Sequence, residues 1–326
     1  MSLISHGMRD VPTQCIETPV FLIGSERSGT TLLRLMLDHH PEIAFNLESE
    51  FLVAEISDAG VFPDVGSYRR KLKEDRVFQH SCFDVPEDLD FPGLVNDFLR
   101  QKLERDGKPV VGATVHYGFS KLRYIWPRAR YIYALRDGRD VACSVVEMGW
   151  AGNAFSAAKW WIDAEREWSE LRQSLAPDHW IEVRYEDLIA NSETQLRRIC
   201  EFIGVPFSVQ MFDYAKSSSY SLPDSTQRTK WRRRMRQKDL ELLEARIGPL
   251  LIARGYELAC GTPRQLATVR VKWLQFHSRL GVMRHKIEQF GFWLFALELI
   301  SRRLRWWTIH KRAQSAINAI VDQHLR

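Results

Sequence analysis

Short apolar runs and amphipathic helical patterns alternate along most of the chain. Runs with the length and composition of buried strands occur at 20–23, 41–47, 110–112, 130–135 and 180–185. Patterns with helical spacing occur at 32–40, 141–146, 155–175, 192–203 and 240–254. This alternation predicts an α/β fold with three layers, in which a central parallel sheet is covered by helices on both faces.

Local signals refine two regions of this pattern. Residues 55–108 are polar, contain three prolines and are interpreted as an irregular insertion over one end of the sheet. Farther along, Ser192 and Gln195 predict a capping box, and Gly204 predicts the end of the helix that they start.

The stretch between the first strand and its helix has the spacing of an anion-binding loop. Two glycines five residues apart bracket a tight turn, and two threonines open the helix. Such a turn aims backbone N–H groups at an anion, and the helix dipole adds roughly half a positive charge. We therefore predict a P-loop-like site that binds a phosphate through Gly24, Ser25, Glu26, Arg27, Ser28, Gly29, Thr30 and Thr31.

This loop differs from a Walker A motif at one position. The spacing G-x-x-x-x-G matches, but Thr30 stands where the lysine that contacts the β- and γ-phosphates is expected. Arg27 is the cation inside the loop, and its guanidinium suits a single phosphate or sulfuryl group. A glycine-rich turn that binds nothing is the structural alternative, and it requires no arginine.

A second anion site is predicted after the run 130–135. Arg136 and Arg139 lie in another strand-to-helix turn, with Ser144 two turns into the helix. Read alone, Asp137 also fits a magnesium ligand of the Walker B type. The neighbouring Arg136 weakens that interpretation, because a cation disfavours a metal site.

Two carboxylates follow the second strand and are candidates for acid–base chemistry. Glu48 and Glu50 should reach the same edge of the sheet as the glycine loop. From these residues alone, a solvated acidic loop is the favoured interpretation.

The basic run at 228–234 is a further candidate for phosphate recognition. Arg228 and Lys230 would hold a phosphorylated nucleoside, and Trp231 would stack on its base. A solvated charged face and a nucleic-acid patch are the alternatives. The net charge of −4 that precedes residue 262 argues against nucleic acid.

Composition indicates a reduced, cytoplasmic compartment. The five cysteines are scattered and lack C-x-x-C spacing, which disfavours both disulfides and a zinc site. Residues 1–18 have no apolar core of signal-peptide length and form an N-terminal extension to the predicted domain at 19–260.

The tail at 261–326 differs from the rest of the chain. Residues 262–326 contain twelve Lys or Arg against three Asp or Glu, which gives this segment a net charge of +9. The net charge of the whole chain is +5. An eleven-residue apolar run at 290–300 is too short to span a bilayer, which requires roughly 20 residues. Arginines and tryptophans flank it, as in helices that lie in an anionic membrane interface. Two interpretations stay open: peripheral membrane contact through 269–312, at the inner face of a membrane, or a helical arm docked on the body or on a homodimer partner.

Taken together, the two loops and Glu48 resemble the sulfotransferases that use 3′-phosphoadenosine 5′-phosphosulfate (PAPS). The resemblance covers roughly residues 18–260, and the run from Arg27 to Asp38 with His40 and Pro41 is most similar to the tyrosylprotein branch. It implies that the first loop holds the 5′-phosphosulfate and that Arg136 with Ser144 holds the 3′-phosphate. It also implies catalytic roles for Glu48 and Arg27, which overturns the favoured interpretation of Glu48. The remaining donor-binding residues that we predict are Tyr185, Arg228, Lys230 and Trp231.

Two positions depart from the family pattern. The family's lysine after the third strand falls on Thr114, so a cation is missing or comes from elsewhere, with Lys121 and Arg123 as candidates. The arginine expected after the catalytic glutamate is replaced by Glu50. Sulfation of peptide tyrosine is therefore not carried over, and the acceptor is a small molecule, a carbohydrate or a lipid-linked hydroxyl.

The resemblance implies in-line displacement at sulfur, with Glu48 taking the acceptor proton and no metal required. A P-loop kinase acting on a small molecule is the first alternative. A sulfotransferase-fold binding protein without activity is the second, and Thr114 favours it.

Overall fold

A computed structural model provides the structure of the chain. It describes residues 15–224, 226, 228–261 and 266–324. Most of the predicted N-terminal extension and the first residues of the tail lie outside these ranges.

The secondary structure follows the predicted alternation. The strands are β1 (Val20–Gly24), β2 (Ile43–Glu48), β3 (Val110–Val115), β4 (Arg130–Leu135) and β5 (Trp180–Arg184). The helices are α1 (Thr30–Asp38), α2 (Val65–Leu72), α3 (Arg76–Ser81), α4 (Phe91–Asp106), α5 (Gly138–Glu147), α6 (Ala154–Gln173), α7 (Tyr185–Ala190), α8 (Ser192–Ile203), α9 (Tyr214–Ser217), α10 (Trp231–Arg234), α11 (Gln237–Ala253), α12 (Thr268–Phe290), α13 (Phe292–Arg303) and α14 (Trp307–His324).

The five strands form one parallel sheet in the order β2-β3-β1-β4-β5. Parallel neighbours that are not consecutive require helical crossovers, which is why the chain alternates strand and helix. The predicted α/β class with a central parallel sheet is confirmed, and every strand delivers its carboxyl end to the same edge.

Contacts divide the chain into two compact units. Among the described residues, the first contains those within 15–136 and 163–228, and therefore the whole sheet. The second contains those within 137–162 and 229–324. This division differs from the predicted boundary at residue 260, because the tail belongs with the segments 137–162 and 229–260.

Side chains alternate between the two faces of the sheet in the first unit. Val20 and Leu22 of β1 pack in a cluster with α1, α7 and α8. On the other face, Phe21 contacts Trp126, and Tyr133 stacks on Trp168 of α6 with ring centroids 4.7 Å apart. Both faces are thus covered, which fixes the register of β1.

The second unit has its own core. Leu243, Ile247 and Leu251 of α11 pack against α5 and the first half of α6. The first tail helix, α12, is joined to this unit by hydrogen bonds from Gly152 N to Ser278 Oγ at 3.0 Å and from Asn153 Nδ2 to the Leu274 carbonyl at 2.8 Å. Helices α13 and α14 pack on each other around Phe295, Ser301 and Ala313.

Two sequence predictions are wrong in detail. Residues 55–108 are largely helical, and the three helices there each begin after an aspartate cap: Asp64, Asp75 and Asp90. The capping box at Ser192 does not form, because its hydroxyl donates to the Leu188 carbonyl, 2.7 Å away. Helix α8 nevertheless ends at Gly204 as predicted.

Over the part of the chain that the structure describes, no helix combines the length and apolar character needed to cross a bilayer. Within the same ranges, no group of three or more His, Cys, Asp or Glu side chains is arranged to hold a metal ion.

Candidate functional site

The predicted site residues of the first unit follow the carboxyl ends of four strands. Gly24 ends β1 and pairs with Ala134 of β4, and Glu48 ends β2 and pairs with Thr114 of β3. Ligands of open parallel sheets bind at this edge. The loop, Glu48, Arg136 and Tyr185 are therefore brought to one edge of the sheet, where the strand pattern predicted that Glu48 and the loop would meet.

The glycine loop has a backbone that only specific residues permit. Gly24 has a φ of 145°, and a Cβ there would lie 2.6 Å from the Ala134 carbonyl oxygen. Arg27 adopts a φ of 67°, a left-handed conformation that is uncommon for a residue with a side chain. Ser28 closes the turn by donating from Oγ to the Ser25 carbonyl at 2.6 Å. This strained turn is held by its neighbours, as is typical of ligand-binding loops.

Helix α1 presents an open positive end to this turn. Its cap is Gly29, which has no capping side chain, and its first turn contains no acidic residue. The first N–H groups of a helix have no partner within the helix. An anion at this end would accept hydrogen bonds from them and interact favourably with the dipole.

Arg136 connects the loop to the sheet. Its Nη1 donates to the Arg27 carbonyl at 3.0 Å, and its guanidinium lies 4.2 Å above the Tyr185 ring. Tyr185 in turn packs on the loop, since a Cβ on Gly29 would lie 2.2 Å from its Cδ2. These contacts place the largely buried cation of Arg136 against the backbone of Arg27, the left-handed residue of the loop.

The two carboxylates after β2 have different surroundings. Glu48 is exposed at the edge of the sheet, where it can accept a proton from a bound hydroxyl. Glu50 is instead turned inward and accepts hydrogen bonds from both the backbone N and Nδ1 of His116, at 3.0 and 2.8 Å.

The position of the missing lysine lies inside the sheet. Thr114 is 1% exposed, and its Oγ1 has no hydrogen-bond partner in the described part of the chain. Of the two cations expected to substitute, Lys121 donates to the Ile56 carbonyl at 2.7 Å and pairs with Asp58. Arg123 donates to Ser174 at 3.1 Å. Both candidates therefore have other partners, and of the two possibilities left open, a missing cation is the one that these contacts favour.

His116 is a site residue that sequence reasoning missed. It directly follows β3, is buried, and its Nε2 lies 2.9 Å from Thr30 Oγ1 in the loop. Burial alone lowers the pKa of His116, but the hydrogen bond and charge of Glu50 raise it above the ordinary value. Burial alone raises the pKa of Glu50, and its bonds to His116 bring that pKa below the ordinary value. The position of His116 in the sequence could have identified it, because it is a polar residue immediately after a strand that ends at the edge of the site.

The second unit contains the other predicted residues except Arg228. Arg139, expected to bind an anion, is buried between Asp137 and Glu244, with closest N–O distances of 2.7 Å to each. Asp137 accepts from Arg139 and caps α5, which removes it as a magnesium ligand. Ser144 is half-buried on α5.

Trp231 is 2% exposed, and the Arg139 guanidinium lies 4.0 Å from its ring centroid. Its backbone N donates to Asp140 Oδ1 at 2.8 Å. A ring that stacks on a nucleoside would have to leave this packing, so the expected availability of Trp231 is not observed. Lys230 is half-buried beside it, and Arg228 lies in an exposed turn of the first unit.

Comparisons with known proteins identify relatives of this chain. The sequence model of the sulfotransferase family matches residues 19–209. Protein-tyrosine sulfotransferase 1 of Danio rerio is 25% identical over 200 residues, covering 58% of this chain and 54% of the relative. Omega-hydroxy-beta-dihydromenaquinone-9 sulfotransferase Stf3 of Mycobacterium bovis is 28% identical over 258 residues, covering 62% of this chain and 66% of the relative.

Among solved structures, the sulfotransferase domain of the Synechococcus PCC 7002 olefin synthase is similar to this chain. Its TM-score is 0.58 at 21% identity, with 74% of this chain and 97% of that domain covered, which shows the same fold. The chain spans about half the length of the protein-tyrosine sulfotransferases that it matches.

Proposed function

The chain belongs to the sulfotransferase family, and on that basis we propose that it moves a sulfuryl group from PAPS to an acceptor hydroxyl. The observation that carries this proposal is the convergence at one sheet edge of an anion loop braced by Arg136 and an exposed carboxylate, Glu48. The loop would hold the 5′-phosphosulfate against the open end of α1. Arg136 would hold the 3′-phosphate.

The residues divide the reaction between them. Glu48 accepts the proton of the acceptor hydroxyl as its oxygen bonds to sulfur, and the bond from sulfur to the bridging oxygen breaks. Arg27 and the loop N–H groups stabilise the charge that develops on the sulfuryl group and on that oxygen. Adenosine 3′,5′-bisphosphate leaves with the bonding electrons. Because the donor has a single phosphate at the reacting end, the step needs no metal to bridge two phosphates.

Transfer is tested with PAPS labelled in its sulfuryl group. The full chain is incubated with this donor and a panel of phenolic, carbohydrate and lipid-linked alcohols, and label in the acceptor is separated from free sulfate. Label that appears in an acceptor with the wild type and is lost with Glu48→Gln supports the proposal. Bisphosphate binding without transfer to any acceptor, or transfer from ATP of a phosphoryl group instead, would contradict it.

We also propose that the acceptor is reached at an anionic membrane surface. Large apolar side chains of the tail are exposed, among them Trp293 at 82% and Trp307 at 61%. Arg302, Arg303 and Arg305 lie on the same segment, and each such cation near an anionic surface contributes on the order of 1 kcal/mol. The charge of the tail is thus complementary to anionic lipid headgroups.

Two further observations support this placement. One relative is named for a menaquinone acceptor, which makes a lipid-linked hydroxyl the acceptor class that we favour. None of the five cysteines, all of which lie in the described part of the chain, forms a disulfide, in keeping with the cytoplasmic, reducing side of a membrane. A helical arm that contacts a second subunit is the competing arrangement.

Because α12 is hydrogen-bonded to the second unit, point variants test the tail better than truncation. Flotation with anionic vesicles at low salt should be strong for the full chain and weak for Trp293→Ser and for Arg302→Glu with Arg303→Glu. Val209, 72% exposed outside the tail, supplies the control Val209→Ser, which should float as the wild type. If the wild-type chain stays with the soluble fraction, the membrane proposal is contradicted. If the tail substitutions convert an oligomer into a monomer, the tail instead contacts a second subunit.

A further inference from the structure

A buried chain of hydrogen bonds links three residues that are far apart in sequence. Glu50 Oε1 lies 2.8 Å from His116 Nδ1, and His116 Nε2 lies 2.9 Å from Thr30 Oγ1. Thr30 is the first residue of α1, and only 3% of it is exposed. The chain therefore ends on a hydroxyl of the anion loop itself.

The carboxylate determines which proton His116 carries. Glu50 also accepts from the His116 backbone N at 3.0 Å, and an ionised carboxylate only accepts, so Nδ1 must carry a hydrogen. Two states of the ring remain. In the neutral ring, Nε2 accepts and the Thr30 hydroxyl must donate its hydrogen inward. In the charged ring, Nε2–H donates and the Thr30 hydrogen is released toward the loop.

Three carboxylates act on this ring. Glu50 bonds to it, and Glu48 and Glu26 add electrostatic attraction from β2 and from the loop; together they outweigh burial and raise the pKa of His116. Its position is equally informative. His116 lies two residues beyond Thr114, where the family's lysine is absent, and so places a cation close to the position that has lost one.

We propose that His116 is a positioning residue which, in its protonated form, turns the Thr30 hydroxyl into a hydrogen-bond donor toward the bound anion and supplies positive charge beside it. This inference rests on the proposed function, since the anion is the phosphosulfate end of PAPS. Glu50, which occupies an arginine position of the family, keeps the ring charged and correctly oriented.

The proposal has a defined pH dependence. Affinity for the anion is highest while His116 is charged and falls as the pH rises through its folded pKa, because Thr30 then donates inward. The phosphates of the ligand titrate near pH 6, which acts in the opposite direction. A variant without the Thr30 hydroxyl removes the hydrogen bond and retains both the titration of the phosphates and the charge of His116.

The test is isothermal titration of the full chain with adenosine 3′,5′-bisphosphate between pH 5.5 and 9. Thr30→Val should bind roughly 10- to 100-fold more weakly than the wild type at low pH, the effect of losing a charge-assisted hydrogen bond. It should also show a smaller decline at high pH, because only the charge of His116 remains. Thr30→Ser retains the hydroxyl and should retain the decline. Glu50→Gln keeps a hydrogen-bond acceptor without the charge and should move the decline to lower pH.

The outcomes separate this inference from the function on which it rests. A wild type that does not bind the bisphosphate at any pH contradicts the proposed function. A wild type that binds it with the same pH profile as Thr30→Val contradicts the role of His116 and leaves the proposed function standing. If the variants lose affinity equally at every pH and unfold earlier, the three residues serve only the fold, and the proposal is overturned.

Discussion

Arg136 donates a hydrogen bond from Nη1 to the backbone carbonyl of Arg27 at 3.0 Å, across 109 residues of sequence. Arg27 is the loop residue in the left-handed conformation, so the bond braces the part of the turn that carries most strain. The same guanidinium lies on Tyr185, which fixes its direction. Arg136 thus supports the glycine loop and is also the first residue of the second predicted anion site.

This double role predicts how Arg136→Ala will affect two ligands. Affinity for adenosine 5′-monophosphate should fall because the loop loses its brace. Affinity for the 3′,5′-bisphosphate should fall further, by about 1.5–3 kcal/mol for a charge-assisted contact. Titration calorimetry measures both, and Tyr185→Leu should reproduce only the first loss. Equal losses for the two ligands would show that Arg136 does not contact the 3′-phosphate.

The loop glycine at the helix cap can be tested against a matched position. Gly29 and Gly107 both have positive φ, 93° and 64°, but a Cβ on Gly107 meets nothing within 4 Å, whereas on Gly29 it meets Tyr185. Gly107→Ala should cost about 1–2 kcal/mol in unfolding free energy. Gly29→Ala should cost more and should abolish bisphosphate binding. Denaturant unfolding with calorimetry checks both, and equal costs with intact binding would refute the packing of Tyr185 on the loop.

Glu48→Gln should separate proton transfer from donor binding. The substitution removes a base worth roughly 10²–10⁴ in rate and leaves the loop untouched, so turnover should fall while bisphosphate affinity stays within about twofold. Glu42→Gln, just before the amino end of β2, is the control and should turn over as the wild type. Wild-type turnover by Glu48→Gln would exclude Glu48 as the base.

The Glu50–His116 pair predicts a pH window of stability. Glu50 has a lowered pKa in the folded protein, so its contribution is present above its unfolded pKa of about 4.3 and is lost as the pH falls. His116 has a raised pKa, so its contribution is present below about 6.5 and is lost as the pH rises through the folded value. The deficit of Glu50→Gln should therefore be largest between about pH 5 and 6.5.

Thermal unfolding across pH measures that deficit. Glu193→Gln, which removes one partner of an exposed ion pair with Arg197, should show a small and nearly constant change instead. A Glu50→Gln deficit that does not vary with pH would show that Glu50 contributes through packing alone.

Local features of the sequence predicted much of the fold and the donor loop. The apolar run ending at Gly24, the threonines after Gly29 and the strand before Arg136 each carry their signal within a few residues. The helices at 65–106 were missed because their surfaces are polar and prolines lie among them. Their aspartate caps were visible in the sequence and would have predicted where each helix begins.

Contacts between distant segments could not be predicted in this way. Thr30 and His116 are 86 residues apart and meet only because β3 lies beside β1 in the sheet. Likewise, Arg139 and Trp231 look like ligand-binding residues in a basic, aromatic context. In the structure the two side chains are buried against each other, and Arg139 also pairs with Glu244. Charge and residue type indicate a chemistry, but burial decides whether it is available.

The most direct test of the donor site is titration of the wild-type chain with adenosine 3′,5′-bisphosphate in the presence of EDTA, compared with ATP and magnesium. A loop that carries Arg27 and has Thr30 in place of the Walker lysine should bind the bisphosphate without metal and should bind ATP weakly. Binding of ATP with magnesium, and none of the bisphosphate, would contradict the account and favour a kinase.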